Sequence, residues 1–400
     1  MALKRGTMTR VTGRLLISVG LLWLAVLMLK WGLESRVVAS KSYTAAMAPT
    51  LAAFPEALVR LGAEAWGRQD VPAAMRLLRN GVSRDPLLGG GWLLLAEAEK
   101  ANGNPDGARG ILDYVHALGK NTLRWTWLET LLALDLEVYP VVWDNLNRMI
   151  ANNRHTTDAL QLADVILAGE PEAVDKRLDA QNLPAYMKWL MGWGRLDQAL
   201  VVREIMARKG VSDPELDARL SARLLGQKRV DEALSLGESG GGPMTNPGFE
   251  ADFVHGPFDW RFSRQGAGWK IERVAGIARE GGHSLSVAFD GKKNVSFAQL
   301  SRILPVKPGV SYQLTYWWKG KDLNTDQGPF FEVYGHDAKG LHVKGPMLLG
   351  TQDWEKVRIE FTTPEGCHAV VVRLRRLPSR KLDNLIGGTV WVDDFELMAD

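Results

Sequence analysis

The stretch SYQLTYWWKG, residues 311–320, alternates polar and apolar side chains and then sets two tryptophans side by side. Neighbours on a β-strand point to opposite faces. Tyr312, Leu314, Tyr316 and Trp318 on a core face therefore leave Gln313, Trp317 and Lys319 on the outer one. The same phase in AVVVRLRRL (369–377) sends Val370, Val372 and Leu374 inward and Val371, Arg373 and Arg375 outward. In FFEVYG (330–335), core positions for Phe331 and Val333 leave Glu332 and Tyr334 outside. If these outer faces belong to one sheet, Trp317, Lys319, Glu332, Tyr334, Arg373 and Arg375 form one patch. Such a patch suits a sugar, because pyranose C–H faces stack on aromatic rings while charged side chains hydrogen-bond hydroxyls. Two arginines beside an indole favour a carboxylated or phosphorylated glycan. Two plainer readings stand beside this one. Trp317 covers an interdomain or partner interface or packs under a loop, and the basic run RLRRLPSRK (373–381) is a solvated edge that discourages strand-to-strand association.

Residues for covalent or acid–base chemistry are scarce. There is no GxSxG elbow, HExxH, P-loop or GxGxxG. His336 and His342 flank a turn-like DAKGL and read as loop histidines. A glycosidase needs two carboxylates across a cleft, and the outer face offers Glu332 alone. The single cysteine, Cys367, allows no intramolecular disulfide and no CxxC site and reads as a small packed residue. A non-enzymatic chain is expected. The net charge of +3 gives no global field for nucleic acid.

These residues need a sheet to position them. After SLGESGGGPMTNPG (235–248) the apolar period changes from helical to alternating. Strand-like runs follow at 284–289, 296–306, 311–319, 330–335, 355–363, 369–377 and 389–397, separated by turn signals. That spacing predicts a β-sandwich over 247–400 behind a Gly-rich linker at 238–246. Phe249 and Trp260 read as core. In WVDDFEL (391–397) alternation sends Asp393 and Asp394 to opposite faces.

NPGFEADF (246–253), PFDWRF (257–262), GGHSLSVAFDG (281–291), VKPGVSYQLTYWWKG and the closing WVDDFEL resemble, in order and spacing, the jelly-roll carbohydrate-binding modules of families 4 and 9, within the galactose-binding-like class. The resemblance covers about 245–398 and specifies a fold better than a sugar. It implies a glycan partner for the β-domain. It also implies a structural calcium, with Glu250 and Asp393 or Asp394 matching the acidic positions of related modules.

Upstream, GWGRLDQA (192–199) and GQKRVDEA (226–233) place Gly192 and Gly226, Arg195 and Arg229, Asp197 and Asp231, and Ala199 and Ala233 each 34 apart. Ala74 and Ala108 share that spacing, as do Leu78 and Leu112. A 34-residue period of two helices resembles tetratricopeptide repeats, over about 55–237. Between 123 and 170 the small-residue marks fade and the repeat count is open. Such repeats stack into a solenoid that binds partner proteins. Trp92, Trp125, Trp127, Trp143, Trp189 and Trp193 read mostly as core, although Trp125 and Trp127 cannot share one helix face.

The N-terminus sets the expected compartment. Residues 1–14 carry Lys4, Arg5, Arg10 and Arg14 and no acid, and an apolar run follows, LLISVGLLWLAVLMLKWGL at 15–33. Basic residues before such a run predict a cytoplasmic N-terminus, a single-pass transmembrane anchor and an exported remainder. The alternatives are a cleaved signal peptide, cut near Val38-Ala39-Ser40, or a buried core helix. The expected chain is thus multidomain, α plus all-β. It has a basic tail (1–14), a transmembrane anchor (15–33), a juxtamembrane linker (34–54), a tetratricopeptide-like α-solenoid (55–237) and a jelly roll (247–400). The expected role is a scaffold at a bacterial inner membrane, with its bulk in the periplasm, working in cell-surface polysaccharide assembly or export. A protein–protein adaptor without sugar binding and a glycan-acting hydrolase are the alternatives.

Overall fold

A computed structural model describes residues 5–39, 54–120, 122–236, 244–253, 256–381 and 384–400, with side chains in the first helix described from 19 to 36. The chain divides into two compact units, Met1–Tyr186 and Met187–Asp400. The expected cleavage step at 38–40 and the linkers at 34–54 and 238–246 lie partly outside the described residues.

The first unit is helical. It holds α1 (Arg5–Ala39), α2 (Pro55–Gly67), α3 (Val71–Arg84), α4 (Gly89–Ala101), α5 (Pro105–Gly119), α6 (Thr126–Asp135), α7 (Tyr139–Ala151), α8 (Thr156–Leu167) and α9 (Pro171–Arg177). The stretch at 123–170, where the repeat marks fade, is still helix after helix. Turn chemistry starts several of these helices. The Asp70 and Asn104 side chains, 34 positions apart, accept from the N–H of Ala73 and Gly107 at 3.1 and 3.0 Å. Each satisfies one of the donors that a helix start leaves open. Small residues let helices close: a Cβ at Gly62 would stand 2.7 Å from Leu78 Cγ, so α2 and α3 meet there only without one.

Among the described residues no helix is long and apolar enough to cross a membrane. The expected transmembrane anchor at 15–33 is therefore not supported. Between 19 and 36, where its side chains are described, α1 carries Lys30 inside the expected span and Glu34 and Arg36 just beyond it. The tryptophan expectation also needs correction. Trp143 is buried, but Trp193 is 71% exposed, because the Gly192–Gly194 turn after the next helix carries it outward.

The second unit begins within α10 (Leu183–Gly192) and continues through α11 (Leu196–Arg208), α12 (Pro214–Gly226) and α13 (Val230–Ser235) into a β-sandwich. Asp213 caps α12 on the Leu216 N–H at 3.0 Å. Two histidines join helix and sandwich: His336 Nε2 meets the Leu225 carbonyl at 2.8 Å and His368 Nδ1 meets Asp231 Oδ1 at 2.9 Å.

The strands run β1 (Arg261–Phe262), β2 (Gln265–Gly266), β3 (Trp269–Ala275), β4 (His283–Asp290), β5 (Phe297–Pro305), β6 (Ser311–Leu323), β7 (Phe330–Gly335), β8 (His342–Lys344), β9 (Gly350–Thr362), β10 (Ala369–Arg376) and β11 (Gly387–Ala399). They form a five-stranded sheet, β1-β5-β10-β7-β8, and a six-stranded sheet, β2-β3-β4-β11-β6-β9. The pairings are antiparallel. Tyr312, Leu314, Tyr316 and Trp318 of one sheet bury their side chains against Phe331, Val333, Val370, Val372 and Leu374 of the other, and Phe249 and Trp260 join that core. The inward phase expected from alternation holds on all three strands.

Candidate functional site

Alternation places a side chain above or below a sheet but does not say which sheet. Trp317 and Lys319 lie on β6, in the six-stranded sheet, whereas Glu332, Tyr334, Arg373 and Arg375 lie on β7 and β10, in the five-stranded sheet. The outer faces point away from each other across the core, so the expected single patch is two separate surfaces.

On the six-stranded side Trp317 is not a free platform. The guanidinium of Arg279, from the β3–β4 connection, sits over its ring at 4.2 Å. The Arg279 N–H also donates to Asp393 Oδ2 at 2.7 Å. Asp393 is the cross-strand partner of Trp317 and is fully buried. The loop is thus fastened over the sheet at two points, by a cation–π contact and a carboxylate. Lys319 pairs with Asp353 at 2.8 Å, which holds that carboxyl below its usual range. The Trp317 ring is thus partly covered by that loop.

The five-stranded side brings three of the other four together, Glu332, Tyr334 and Arg373. Cross-strand register sets Ser301, Arg373, Glu332 and Lys344 in one row and Ile303, Val371, Tyr334 and His342 in the next. Arg373 Nε donates to Glu332 Oε1 at 2.7 Å, and His342 Nε2 meets Glu332 Oε2 at 2.9 Å. The Arg373 guanidinium lies 4.8 Å from the Tyr334 ring centre, and the His342 ring stands edge-on to Tyr334 at 6.3 Å. Glu332 is only 3% exposed. Burial pushes its carboxyl up, but the hydrogen bonds of His342 and Arg373 and the Arg373 charge outweigh it, so it titrates below the usual carboxylate range. Arg375 turns partly aside, its Nη1 reaching the Phe297 carbonyl at 3.3 Å.

Sequence reasoning missed His342, which reads as a loop residue. The signal was present: a β7–β8 hairpin around DAKGL sets His342 opposite Tyr334. The basic run at 373–381 is also more than a solvated edge, because Arg376 is fully buried. Cys367 is buried too, and burial first, the Asp337 charge second, push its thiol up to about 11. Little reactive thiolate exists there at neutral pH.

The calcium expectation rests on Glu250, Asp393 and Asp394. A β-bulge after Asp393, with Asp394 at φ 46, overrides the alternation. A Cβ at Gly248 would stand 3.1 Å from Asp394 Oδ1 and 3.4 Å from Asp393 Oδ1, so both aspartates converge on that glycine instead of diverging. Burial, with the neighbouring Asp394 charge, raises Asp393 to about 6. Burial and the charge of Glu280 also raise Asp394. Oxygens of Glu250 and Asp393 are met by N–H groups. Glu250 accepts from Gly282 and His283 at 2.9 and 3.0 Å, and Asp393 Oδ1 accepts from the Asp394 N–H at 2.9 Å. Among the described residues no group of three or more His, Cys, Asp or Glu is placed to hold a metal. The oxygen donors are of the type calcium takes.

No family model matches the chain, and no curated protein matches it. Solved structures do. One is a family 61 carbohydrate-binding module in complex with β-1,4-galactotriose, 21% identical, covering 40% of this chain and 99% of that one, TM-score 0.29. A xylan-binding family 22 module from Paenibacillus barcinonensis is 17% identical, covering 38% and 90%, TM-score 0.26. A family 4 module is 11% identical, covering 39% and 99%, TM-score 0.28. These scores lie below 0.5, so the reading of the site rests on its own residues.

Proposed function

We propose that the chain is a non-enzymatic scaffold whose β-sandwich binds a glycan on the outer face of the five-stranded sheet. The observation that carries this is the cluster of Tyr334, Arg373, Glu332 and His342. An aromatic ring stands there among fixed charged groups on a half-exposed β-surface. Arg373 has five N–H donors and spends Nε and Nη2 on Glu332, leaving others for hydroxyl or carboxylate oxygens. Glu332, bound from both sides, holds Arg373 and His342 in place. The test is binding of neutral and acidic bacterial polysaccharides by the full chain and by its Arg373→Ala and Tyr334→Ala variants.

The helices are read as tetratricopeptide-like pairs that hold a partner protein; the 34-residue spacing and exposed Leu87, Leu128, Val165 and Trp193 support this. Work outside the cytoplasm, in polysaccharide assembly or export, is supported by the basic residues that precede the apolar N-terminal run, an order that export signals share.

A further inference from the structure

The sandwich carries a second concave surface, on its open side. There the chain crosses from β1 of one sheet to β2 of the other through Ser263 and Arg264. The crossing leaves a cleft of about 790 Å³ whose lining includes Phe253, Phe262, Arg264, Gln265 and Ile271. That volume lies in the range of small-ligand sites, roughly 300–1,000 Å³. Its floor is apolar: Phe253 and Phe262 meet edge to face at 4.7 Å above the buried Ile271. Its rim is charged, and most of that charge is matched. Lys270 pairs with Glu272 at 2.6 Å and Arg273 with Asp252 at 2.7 Å. Among the described residues Arg264 has no ion pair, so it gives the cleft its uncompensated positive charge.

The cleft continues. Gln265 and Lys270 also line an adjoining hollow of about 460 Å³ walled by Trp269. The Trp269 indole lies against Gly266, where a Cβ would stand 2.3 Å from the ring, so residue 266 must be glycine for the wall to form. Two aromatic surfaces thus stand along one groove, with the Gln265 amide and the Lys270–Glu272 pair between them. Hydroxyl groups, each donor and acceptor, suit such mixed rims. Apolar C–H faces suit the rings, and a carboxylate suits Arg264.

We infer that this open-edge groove is a second glycan site, selective for uronic-acid sugars through Arg264 and the Phe253–Phe262 floor. It does not depend on the Tyr334–Arg373 surface. The probes are a trimeric oligouronate and its neutral counterpart, titrated calorimetrically into the full chain carrying Arg373→Ala, so that the other surface is silenced. The oligouronate should bind more tightly than the neutral trimer. Adding Arg264→Ala should weaken it about tenfold or more, and Arg264→Lys should restore part of the loss. Phe262→Ala should abolish binding; because Phe262 also touches the core, the surface variant Arg264→Ala decides if that protein melts early. Binding unchanged by Arg264→Ala would overturn the inference. So would equal affinity for the neutral trimer, equal competition by poly-glutamate, or no binding at all. Loss of neutral-glycan binding with Arg373→Ala while the oligouronate still binds bears on the other surface only, so the two readings fail separately.

Discussion

Trp317 and Asp393 face each other across β6 and β11, and the β3–β4 connection covers both through Arg279. Burying a carboxylate under that loop has a measurable consequence. Asp393 titrates near 6, raised from 3.8 by burial first and the Asp394 charge second. Between those two values the folded state holds a proton that the unfolded state has released. On this group alone, stability is therefore greatest below about pH 4 and falls as pH rises through 6. Asp393→Asn removes the titration. The melting temperature of the variant relative to wild type should climb from pH 4 to pH 7, on top of a constant offset for the lost acceptor. A difference that stays flat over that window would contradict the assignment. At the same scale, alternation made the outward direction of Trp317 legible in WWK. That Arg279 sits on the indole was not legible, because the contact joins residues far apart in sequence through a loop with no periodic pattern.

Elements show where pattern reading succeeds and where it stops. The inward faces of β6, β7 and β10 followed from period-two alternation, since a one-residue slip would expose every core side chain. Sheet membership did not follow, because a sandwich presents two outer faces with the same alternation. The bulge at Asp394 was also hidden: it depends on one residue adopting a left-handed φ within an otherwise regular strand. Arg376 is a further case. A basic run suggests a solvated edge, yet at the end of β10 Arg376 donates to Asn294 Oδ1 at 2.8 Å, the Asn384 carbonyl at 3.0 Å and the Gln327 carbonyl at 3.2 Å. It ties three connections to one strand end, and burial lowers its pKa. Arg376→Ala would leave several buried acceptors unmet and should cost about 3 kcal/mol or more in a denaturant melt. A loss under about 1 kcal/mol would mean those connections hold without it.

For the whole molecule, the order of helices followed by a sandwich was readable from the change in apolar period after residue 235. The end of the helices did not mark the division into compact units. That division falls at Tyr186, within α10, and inside the second unit α12 and α13 bond to the sandwich through His336 and His368. Contacts between histidine rings and distant helices leave no trace in periodicity. The proposed setting makes one prediction at this scale. Protease added outside the cytoplasmic membrane should degrade the chain, and a photo-crosslinker at position 193 should capture one defined protein partner in cells. Full protection, or no crosslink at 193, would count against the extracytoplasmic scaffold.

Of the two outer sheet faces, the one proposed to recognise a glycan is that of the five-stranded sheet, and not the face that carries the Trp317 indole. The most direct measurement compares neutral-polysaccharide binding by the full chain with that of Arg373→Ala, Tyr334→Ala and Trp317→Ala, alongside their thermal melts. The account predicts at least about a tenfold loss for the first two with melts near wild type. It predicts that Trp317→Ala lowers the melt, because the β3–β4 loop loses its cation–π anchor, while binding persists. Binding lost in Trp317→Ala and retained in Arg373→Ala would contradict the account and move the site to the opposite face.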